Sequence, residues 1–572
     1  MTHLETGSQA EDAKGDRPPF SPILTTRFSQ AFWTLTPVEM VRLKPFGDAV
    51  RFSKGEVLFR AGTRPPGMFV ILSGRVSVSQ RDGLNNVTPI VEQGPGDFIA
   101  EVGQLSGSSA LVDVVADDPV EALLIRPDRL RALVIAEAAL GERITQALML
   151  RRASLLEASA GGPVLIGRRG SKAVVKLQGF LTRNAQPHQL LDPDEDIDAR
   201  AFIERIGVGP DELPIAICPA GAILLDPSEA DLARSLGMGG TEREDLLYDA
   251  AVVGAGPAGL ATAVYGASEG LSMVVLDRRA FGGQAGASAR IENYFGFPTG
   301  ISGQALTSRA YVQAMKFGAK MVIPASVENL EWAGADGAFQ LSIDDGSTIR
   351  CKTVIIASGA DYRRPDIPGL AAFEGRGVWF WASALEARMC AGLDIVLVGG
   401  GNSAGQAAVF LADSAKSVRM LIRGPSLSET MSKYLVDRIA NTPNIMLMPT
   451  TELTGLFGDE EHGLVRVEWK CRGSESTSSE TIRHVFLFVG GDPATKWLVD
   501  AGVALDQYGF VLTGERAGAS RGALESSQPG VFAVGDVRSG SVKRVGAAIG
   551  EGAQVVAALH EYLARRTAKN GV

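Results

Sequence analysis

The hydrophobic positions change their period along the chain, and these changes divide the sequence into units. Near the N-terminus, short alternating stretches such as 67–78 and 114–125 are separated by glycine turns, which predicts β-strands. Further on, short apolar runs such as 250–253 and 395–398 precede helical stretches, a pattern typical of buried parallel strands with their crossover helices. The pattern therefore predicts a multi-domain chain with an N-terminal β-roll followed by α/β domains.

Residues 26–158 are predicted to form the β-roll, or jelly roll, because glycine turns recur there at a spacing of about ten residues. Helices predicted over 127–136 and 140–157 close this unit. Residues 1–25 are polar and rich in Pro, Gly and Asp, and that composition predicts a disordered N-terminus.

Residues 160–240 are predicted to form a separate α/β domain with the element order β-α-β-α-β-β-α. The predicted strands cover 163–166, 187–191, 214–218 and 222–225, and the predicted helices cover 171–183, 198–206 and 227–236.

The rest of the chain is organised around a glycine-rich turn. An apolar strand runs into Gly254-x-Gly256-x-x-Gly259, and a helix follows. The first glycine permits the tight turn, the second lets a pyrophosphate approach the backbone, and the third lets helix and strand pack closely. Asp277 ends the next strand, at the distance where a ribose hydroxyl is bound in dinucleotide-binding folds. This spacing predicts a dinucleotide site.

A second turn repeats the arrangement. The strand 395–398 runs into Gly399-x-Gly401-x-x-Ala404, with a helix predicted over 405–412. Two such turns predict two bound dinucleotides, as in a flavin enzyme that accepts hydride from a nicotinamide. The protein supplies orientation and electrostatics for that transfer rather than a side-chain acid or base.

Composition narrows the function further. The 572 residues carry a net charge of −9, which argues against nucleic acid as a bulk partner. No apolar run approaches the ~20 residues of a membrane span, so no membrane partner is expected. The four cysteines are far apart in sequence and form no CxxC pair, which argues against a zinc site and a redox dithiol, and a reducing cytoplasm is the expected compartment. They are Cys218, Cys351, Cys390 and Cys471.

From about residue 245 onward, the ordered set of motifs resembles thioredoxin reductase and its low-molecular-weight flavoprotein relatives. Besides the two turns, the motifs that carry the resemblance are 282–284, 291–294, 357–360, 485–493 and 530–537. The resemblance implies an FAD-binding domain in two pieces, 245–363 and 484–565, with an NAD(P)H-binding domain over 364–483 inserted between them.

The motifs and the resemblance together imply a set of cofactor-binding residues and no metal ligand. Those assigned to FAD are Gly254, Gly256, Pro257, Ala258, Gly259, Asp277, Gly283, Gln284, Asn293, Ala357, Gly359, Gly535, Asp536, Lys543, Arg544 and Val545. Those assigned to the nicotinamide cofactor are Gly399, Gly401, Asn402, Ser403, Ala404 and Arg423. The helix predicted over 546–563 would present its positive end to the reduced flavin.

The choice of nicotinamide cofactor rests on the strand after the second turn. That strand ends without an acid, which would be the usual sign of NADH, and Arg423 follows it. A basic residue there would bind the 2′-phosphate of NADPH, with hydroxyl contacts available from Ser426 and Ser428. The sequence favours NADPH and leaves NADH open.

The chain departs from the reductase pattern where that family carries its redox CxxC. Residues 381–384 read Trp-Ala-Ser-Ala at about that place. Disulfide exchange needs two sulfurs, so reduction of thioredoxin by that mechanism is not expected. Cys390 stands alone nearby and is interpreted as structural. The alternative is a thiol that meets a partner's disulfide or the flavin.

The N-terminal units carry resemblances of their own. Residues 26–158 resemble a cyclic nucleotide-binding domain, in which Glu101 matches the ribose-binding glutamate and Ala110 stands at the arginine position. The loss of that arginine leaves two alternatives, a cyclic nucleotide site or a degenerate sensor fold. Residues 160–240 resemble a thioredoxin or glutaredoxin fold, with Pro214 at the cis-proline position and 167–171 in place of its CxxC.

Two functions follow from these observations. The first is an FAD-dependent NAD(P)H oxidoreductase that passes electrons to an unidentified small-molecule or protein acceptor and is regulated by its N-terminal domains. The alternative is a redox or ligand sensor, or a scaffold flavoprotein, with little turnover. The flavin-domain resemblance also implies a homodimer.

Overall fold

The computed structural model describes most of the chain, and the structural statements below concern that part. The described ranges are 22–84, 86–100, 103–106, 109–157, 162–239, 246–332, 337–459, 462–474 and 476–570. The predicted disordered segment 1–25 therefore lies outside the described residues except for its last four, which already belong to a helix. Within these ranges, no helix has both the length and the apolarity needed to cross a bilayer.

The N-terminal domain is a β-roll of two four-stranded antiparallel sheets, with strand orders β1-β8-β3-β6 and β2-β7-β4-β5. Its apolar residues alternate along the strands, so Val76 and Val78 face the core between the sheets. In chain order, its elements are α1 (Pro22–Ala31), α2 (Pro37–Leu43), β1 (Asp48–Phe52), β2 (Val57–Phe59), β3 (Met68–Ser73), β4 (Val76–Arg81), β5 (Val87–Gln93), β6 (Phe98–Ile99), α3 (Gly103–Ser106), β7 (Asp113–Ala116), β8 (Val120–Ile125), α4 (Pro127–Ala136) and α5 (Ala138–Glu157).

The middle domain is a mixed sheet in the order β10-β9-β11-β12, in which only the β9–β10 pair is parallel. The peptide bond Leu213–Pro214, just before β11, is cis. In α6, the apolar positions fall on one face and bury Leu177 and Phe180 against the sheet. The elements are β9 (Val164–Ile166), α6 (Lys172–Arg183), β10 (Gln189–Leu191), α7 (Ile197–Ile206), β11 (Ile215–Ile217), β12 (Ile223–Leu225) and α8 (Glu229–Ser235).

The first α/β lobe begins with a parallel sheet that continues into an antiparallel extension, in the strand order β15-β14-β13-β18-β17-β16. The central strand β13 buries its last four residues, because strands pair with it on both sides and helices cover the sheet. Up to the point where the chain leaves this lobe, the elements are β13 (Leu247–Val253), α9 (Pro257–Ser268), β14 (Met273–Leu276), α10 (Gly283–Gly286), α11 (Gly303–Lys316), β15 (Lys320–Val322), β16 (Val327–Trp332), β17 (Phe339–Ile343), β18 (Thr348–Ile356) and β19 (Ala360–Tyr362).

The second α/β lobe is a parallel sheet in the order β20-β27-β21-β22-β23, with the antiparallel sheet β24-β25-β26 packed beside it. The elements of this part of the chain are α12 (Leu370–Phe373), β20 (Val378–Trp379), α13 (Ala384–Met389), β21 (Asp394–Val398), α14 (Asn402–Ala412), β22 (Ser417–Leu421), α15 (Lys433–Ala440), β23 (Ile445–Met448), β24 (Thr451–Asp459), β25 (Gly463–Cys471), β26 (Thr477–Thr481) and β27 (Val485–Leu487).

The return to the first lobe corrects one predicted boundary. The sequence placed the return at residue 484, yet β27 pairs in parallel with β20 and β21 and so belongs to the second lobe. The chain crosses back at β28 (Gly491–Pro493), which pairs antiparallel with β19. Then β29 (Val531–Ala533) joins the first sheet beside β18, and α16 (Val545–Asn570) packs on α9.

The domains share apolar contacts. Val312 and Met315 of α11 join the core between the helices and one sheet of the roll, and α3 touches α11. The middle domain reaches the second lobe through Val175, which packs in one cluster with Trp379 and Ala382. The roll therefore contacts the first lobe, and the middle domain contacts the second lobe and, through Arg183 and Asn184, the first.

The close packing of α16 on α9 yields a test of the fold. A Cβ at Gly552 would lie 2.4 Å from the carbonyl oxygen of Ala258, whereas a Cβ at Gly550 would meet no atom within 4 Å. Gly552→Ala should therefore destabilise the fold by about 1–3 kcal/mol through overpacking. Gly550→Ala should be neutral or stabilise it by up to about 1 kcal/mol, because alanine has the higher helix propensity. Thermal unfolding measures both variants, and equal melting temperatures would contradict this packing.

Candidate functional site

The first glycine turn leaves one glycine open while two others are required by backbone contacts. Gly254 has φ +112°, and a Cβ there would lie 2.2 Å from the carbonyl oxygen of Ala357. A Cβ at Gly259 would lie 1.9 Å from the carbonyl oxygen of Gly254. At Gly256, a Cβ would meet only the Cα of Gly283, at 3.9 Å. The open side of Gly256, at the start of α9, is the surface that a phosphate could approach.

Asp277 braces this turn from the end of β14. Its Oδ2 accepts a hydrogen bond from the amide of Ala255 at 2.9 Å, and its Oδ1 accepts from the amides of Arg279 at 3.0 Å and Ala280 at 3.1 Å. A carboxylate has about four lone-pair sites, so one remains for a ribose hydroxyl. The residue thus has a structural role that the sequence did not indicate, beside the predicted one.

The loop 282–284 lies directly against the turn. Gly283 has φ +53°, and a Cβ there would lie 3.1 Å from the Cα of Gly256. The side chain of Gln284 donates to the carbonyl of Ala360 at 2.6 Å, which ties the loop to the crossover strand. Asn293, predicted to join this group, is exposed, and no hydrogen bond joins its side chain to another described residue.

The carboxylate of Asp536, just after strand β29, lies in the same region. A Cβ at Gly535 would lie 2.9 Å from the Cβ of Ala258, so this strand end comes close to α9. The next residue, Asp536, receives no side-chain hydrogen bond from the described residues, and burial raises its pKa. Lys543 donates to the backbone carbonyl of Asp536 rather than to its carboxylate. A partly buried acceptor without a donor fits a polyol such as the ribityl chain of a flavin.

In the second glycine turn, too, the first glycine is required by a backbone contact and the second is open. Gly399 has φ +144°, and a Cβ there would lie 2.5 Å from the carbonyl oxygen of Phe488, whereas a Cβ at Gly401 would meet no atom within 4 Å. The Oδ1 of Asn402 accepts from the amide of Ser432 at 2.7 Å and so holds the neighbouring loop. Arg423 is exposed after β22 and pairs with no carboxylate of the described chain.

Of the other predicted residues, Pro257 and Ala258 lie in the first turn of α9, and Ala357 and Gly359 follow β18. Ala404 is buried in α14, and Ser403 is exposed. Arg544 is exposed, and Val545 begins α16.

The place predicted for a dithiol is a packed helix start. Ser383 caps α13, and its amide donates to Glu386 at 2.9 Å. The indole of Trp381 donates to the same carboxylate at 3.1 Å, and its ring lies 6.1 Å from that of Tyr362. Cys390 is fully buried at the end of this helix, and burial raises its pKa to about 12. A thiol with that pKa is almost wholly protonated near neutrality, which favours the structural interpretation.

The roll contributes to a cavity at its border with the other domains. The cavity has a volume of about 1340 Å³ and is lined by Ala110 of the roll, Leu150 of α5 and Met315 of α11, with Arg309 and Lys320 among its basic residues. Ala110, the predicted replacement for an arginine, is buried and donates its amide to the carbonyl of Thr63 at 2.8 Å. Glu101 lies outside the described residues.

Sequence reasoning missed one charged residue beside the first turn. Arg183 ends α6 in the middle domain and donates to the carbonyl of Gly283 at 2.9 Å. A basic residue in the last turn of a helix is common, because it is favoured by the helix dipole, so nothing in the sequence singles it out.

Comparison with known families agrees with this geometry. A family model described as pyridine nucleotide-disulphide oxidoreductase matches residues 248–552, which cover both lobes. A second, described as cyclic nucleotide-binding domain, matches residues 49–137 in the roll. The predicted fold of these two regions is confirmed: a cyclic nucleotide-binding-like β domain precedes a Rossmann-type pair of lobes similar to thioredoxin reductase.

Individual relatives match the two lobes. Thioredoxin reductase of Mycolicibacterium smegmatis is 31% identical over 56% of this chain and 98% of its own. NADPH-dependent thioredoxin reductase 3 of Arabidopsis thaliana is 29% identical over 56% of this chain and 59% of its own. The structure of Lactococcus lactis thioredoxin reductase covers 56% of this chain and 99% of its own, with 27% identity and a TM-score of 0.51. Thioredoxin reductase-like members of this family use FAD and NADPH.

The open side of Gly401 yields a test of the second turn. Gly401 has φ −90°, which any residue adopts, so Gly401→Ala should fold normally and retain FAD. The added methyl group would occupy the space of the NADPH pyrophosphate, and we expect the Kd for NADPH to rise about tenfold or more. Equilibrium titration of the FAD-loaded variant with NADPH measures the effect, and an unchanged Kd would exclude this turn as the binding site.

Proposed function

Since this chain belongs to the pyridine nucleotide-disulphide oxidoreductase family, we propose that it is an FAD-dependent oxidoreductase that takes electrons from NADPH and delivers them to an acceptor other than thioredoxin. The observation that carries the proposal is the pair of glycine turns, one in each lobe. In each, backbone contacts require the first glycine, while the second faces open space. Bound FAD would supply the two-electron chemistry, by accepting hydride from NADPH and releasing electrons to the acceptor.

In this proposal, the first lobe binds FAD through its backbone more than through charges. Gly256 and the N-terminus of α9 would receive the pyrophosphate. Asp277 would accept from a ribose hydroxyl, and Asp536 from the ribityl chain. The N-terminus of α16, beginning at Val545, would face the ring system, where its positive end favours negative charge.

The second lobe would bind NADPH at the open Gly401. Arg423 lacks an ion-pair partner among the described residues and is exposed, so it is available to a 2′-phosphate. The exposed hydroxyls of Ser426 and Ser428 lie on the same loop, 2.8 Å apart. These side chains are the support for NADPH over NADH.

The two lobes contact each other in a way that suits transfer between two cofactors. Arg438 of α15 pairs with Glu292 of the flavin-side loop 291–294 at 2.6 Å. The guanidinium of Arg279 lies 5.9 Å from the ring of Trp381 across the same boundary. These contacts hold the second lobe against the loops assigned to the flavin.

We propose that electrons leave the flavin without passing through cysteines of this chain. The dithiol position carries Trp381 and a capped helix, and the nearby Cys390 is buried with a raised pKa. An acceptor must therefore come from outside and reach the flavin directly. A quinone, oxygen, an iron–sulfur protein or an external disulfide would each meet that requirement.

We infer that the middle domain has a thioredoxin-like fold that serves as a docking element. The inference is supported by its strand order, β10-β9-β11-β12. Arg168 and Arg169 stand where a CxxC would be and pair with Asp194 and Glu195. Because surface ion pairs stand in place of thiols, we assign this domain a docking role rather than disulfide exchange.

We also propose that the roll regulates the reductase through α11. The helix α3 follows Glu101, which the resemblance matches to the ribose-binding glutamate, and it touches α11 of the FAD lobe. The cavity beside it is lined by residues of both domains, with several basic side chains and Glu142 as its acid among the described residues. An anionic ligand there would contact the sensor and the FAD lobe at once.

Anaerobic titration tests the proposed activity. We expect the purified protein to contain FAD, whose absorbance should be bleached rapidly by NADPH and more slowly by NADH. We expect no thioredoxin-dependent reduction of a chromogenic disulfide, because the chain lacks the second sulfur that exchange requires. Robust disulfide reduction would contradict the proposed exit route. Slow or absent bleaching would instead favour a sensor or scaffold flavoprotein with little turnover.

Cyclic AMP and cyclic GMP test the proposed regulation. If one of them binds the roll and is coupled to the FAD lobe, it should raise the melting temperature and change the rate of NADPH oxidation about fivefold or more. Arg309→Glu should weaken both effects by placing an acid in the cavity. Arg565→Glu, on the exposed end of α16, is the control and should leave both effects intact. A melting shift without any change in rate would refute the coupling.

A further inference from the structure

A cation from the middle domain lies against the flavin-side loop of the first lobe. Nη2 of Arg183 donates to the carbonyl of Gly283 at 2.9 Å, and its backbone carbonyl accepts from Gln304 of α11 at 3.3 Å. Gly283 is the residue that abuts Gly256 of the dinucleotide turn. The guanidinium therefore lies next to the meeting point of the two loops assigned to FAD.

This cation has no counter-ion within the described part of the chain. The nearby carboxylate of Glu229 pairs with Arg279 at 2.8 Å, and both oxygens of Asp277 accept backbone amides. The Nε of Arg183 is buried without a hydrogen-bond partner among the described residues. Its Nη1 forms no hydrogen bond with a described residue.

Such an arrangement is costly for a protein without a ligand. Removing a guanidinium from water without a paired anion is unfavourable, and buried charges in proteins are normally paired. Burial lowers the pKa of Arg183, and the charge of Arg279 acts in the same direction. The carboxylates of Asp277 and Glu229 attract the cation, but neither forms an ion pair with it. An anion is the missing component.

We propose that Arg183 is a cofactor-binding residue supplied by the middle domain, whose guanidinium compensates negative charge on bound FAD. The inference rests on the proposed function, because it takes the first glycine turn as the FAD site. It extends that function by making the middle domain part of the FAD site rather than a neighbour of it. A relative whose whole length matches the two lobes has no counterpart of α6, and so it cannot form this contact.

FAD carries negative charge at two places that Arg183 could face. One is the pyrophosphate, which is charged in every redox state. The other is the flavin ring, which gains negative charge on reduction. Contact with the pyrophosphate would change the affinity for FAD, whereas contact with the ring would also raise the reduction potential, because the cation would stabilise the reduced form.

Two substitutions at this position in the full-length chain test the proposal. Arg183→Gln removes the charge and keeps an amide donor, while Arg183→Lys keeps the charge. We expect the glutamine variant to raise the Kd of the apoprotein for FAD about 10- to 100-fold, the loss of one charge-assisted contact. The melting-temperature gain on adding FAD should shrink in parallel, and the lysine variant should recover part of both. The flavin reduction potential is measured on the same proteins.

A matched variant separates cofactor binding from docking. Asn184 is the next residue and donates to the carbonyl of Arg279 at 2.9 Å, so Asn184→Ala weakens the same interface without touching the charge. We expect this variant to retain the wild-type Kd for FAD and the wild-type potential.

The outcomes are distinct. A raised Kd in Arg183→Gln alone supports the proposal, with an unchanged potential assigning the contact to the pyrophosphate and a lowered potential assigning it to the ring. Wild-type affinity and potential in Arg183→Gln, or an equal loss in Asn184→Ala, would overturn it. Failure of the wild-type chain to bind FAD would refute the proposed function itself, before any variant is compared.

Discussion

Backbone-to-backbone contact at glycine is the constraint on which the two lobes depend. At Gly254, Gly259 and Gly552, a methyl group would lie 1.9–2.4 Å from a carbonyl oxygen, so strand, turn and helix pack closer than any side chain permits. That closeness aims the amide groups at the start of α9 into one crevice. The same geometry recurs at Gly399 in the second lobe. The glycines assigned to the ligand, Gly256 and Gly401, make no such contact, because the neighbouring glycines form the close contacts between strand and helix.

Neither of the two segments that the sequence resemblances align with a redox CxxC contains a cysteine. In the second lobe, the segment at Trp381 forms a capped helix start. In the middle domain, the loop after β9 carries Arg168 and Arg169 in surface ion pairs. Val175 of α6 packs in one apolar cluster with Ala382. The segment at Ala382 thus helps to hold the middle domain against the second lobe. Packing can be maintained by other residues of suitable size, whereas disulfide exchange requires cysteine.

The elements that were predicted from the sequence are mostly those determined by neighbouring residues in the chain. The glycine turns, their strands and the helix α4 follow from residue spacing and turn residues, and the structure has them within a few residues of the predicted bounds. The boundary at 484 was wrong, because the apolar strand β27 suits either sheet and only its partners decide. The helix α11 was not predicted, because part of its apolar face is buried by another domain. Arg183 gave no signal, because its role depends on where α6 docks.

Contacts between domains therefore determine features that local sequence patterns do not reveal. They place charged side chains as well as buried apolar surface. The FAD lobe supplies the backbone for an anionic ligand, and its Arg279 pairs with Glu229 of the middle domain. Arg183, which has no ion-pair partner among the described residues, comes from α6. The roll contributes Arg27, Arg64 and Arg152 to the lining of the cavity beside α11. Both N-terminal domains thus place positive charge next to the FAD lobe. An anion bound at either border would tighten the contact between domains, which gives ligand occupancy a direct physical route to the flavin site.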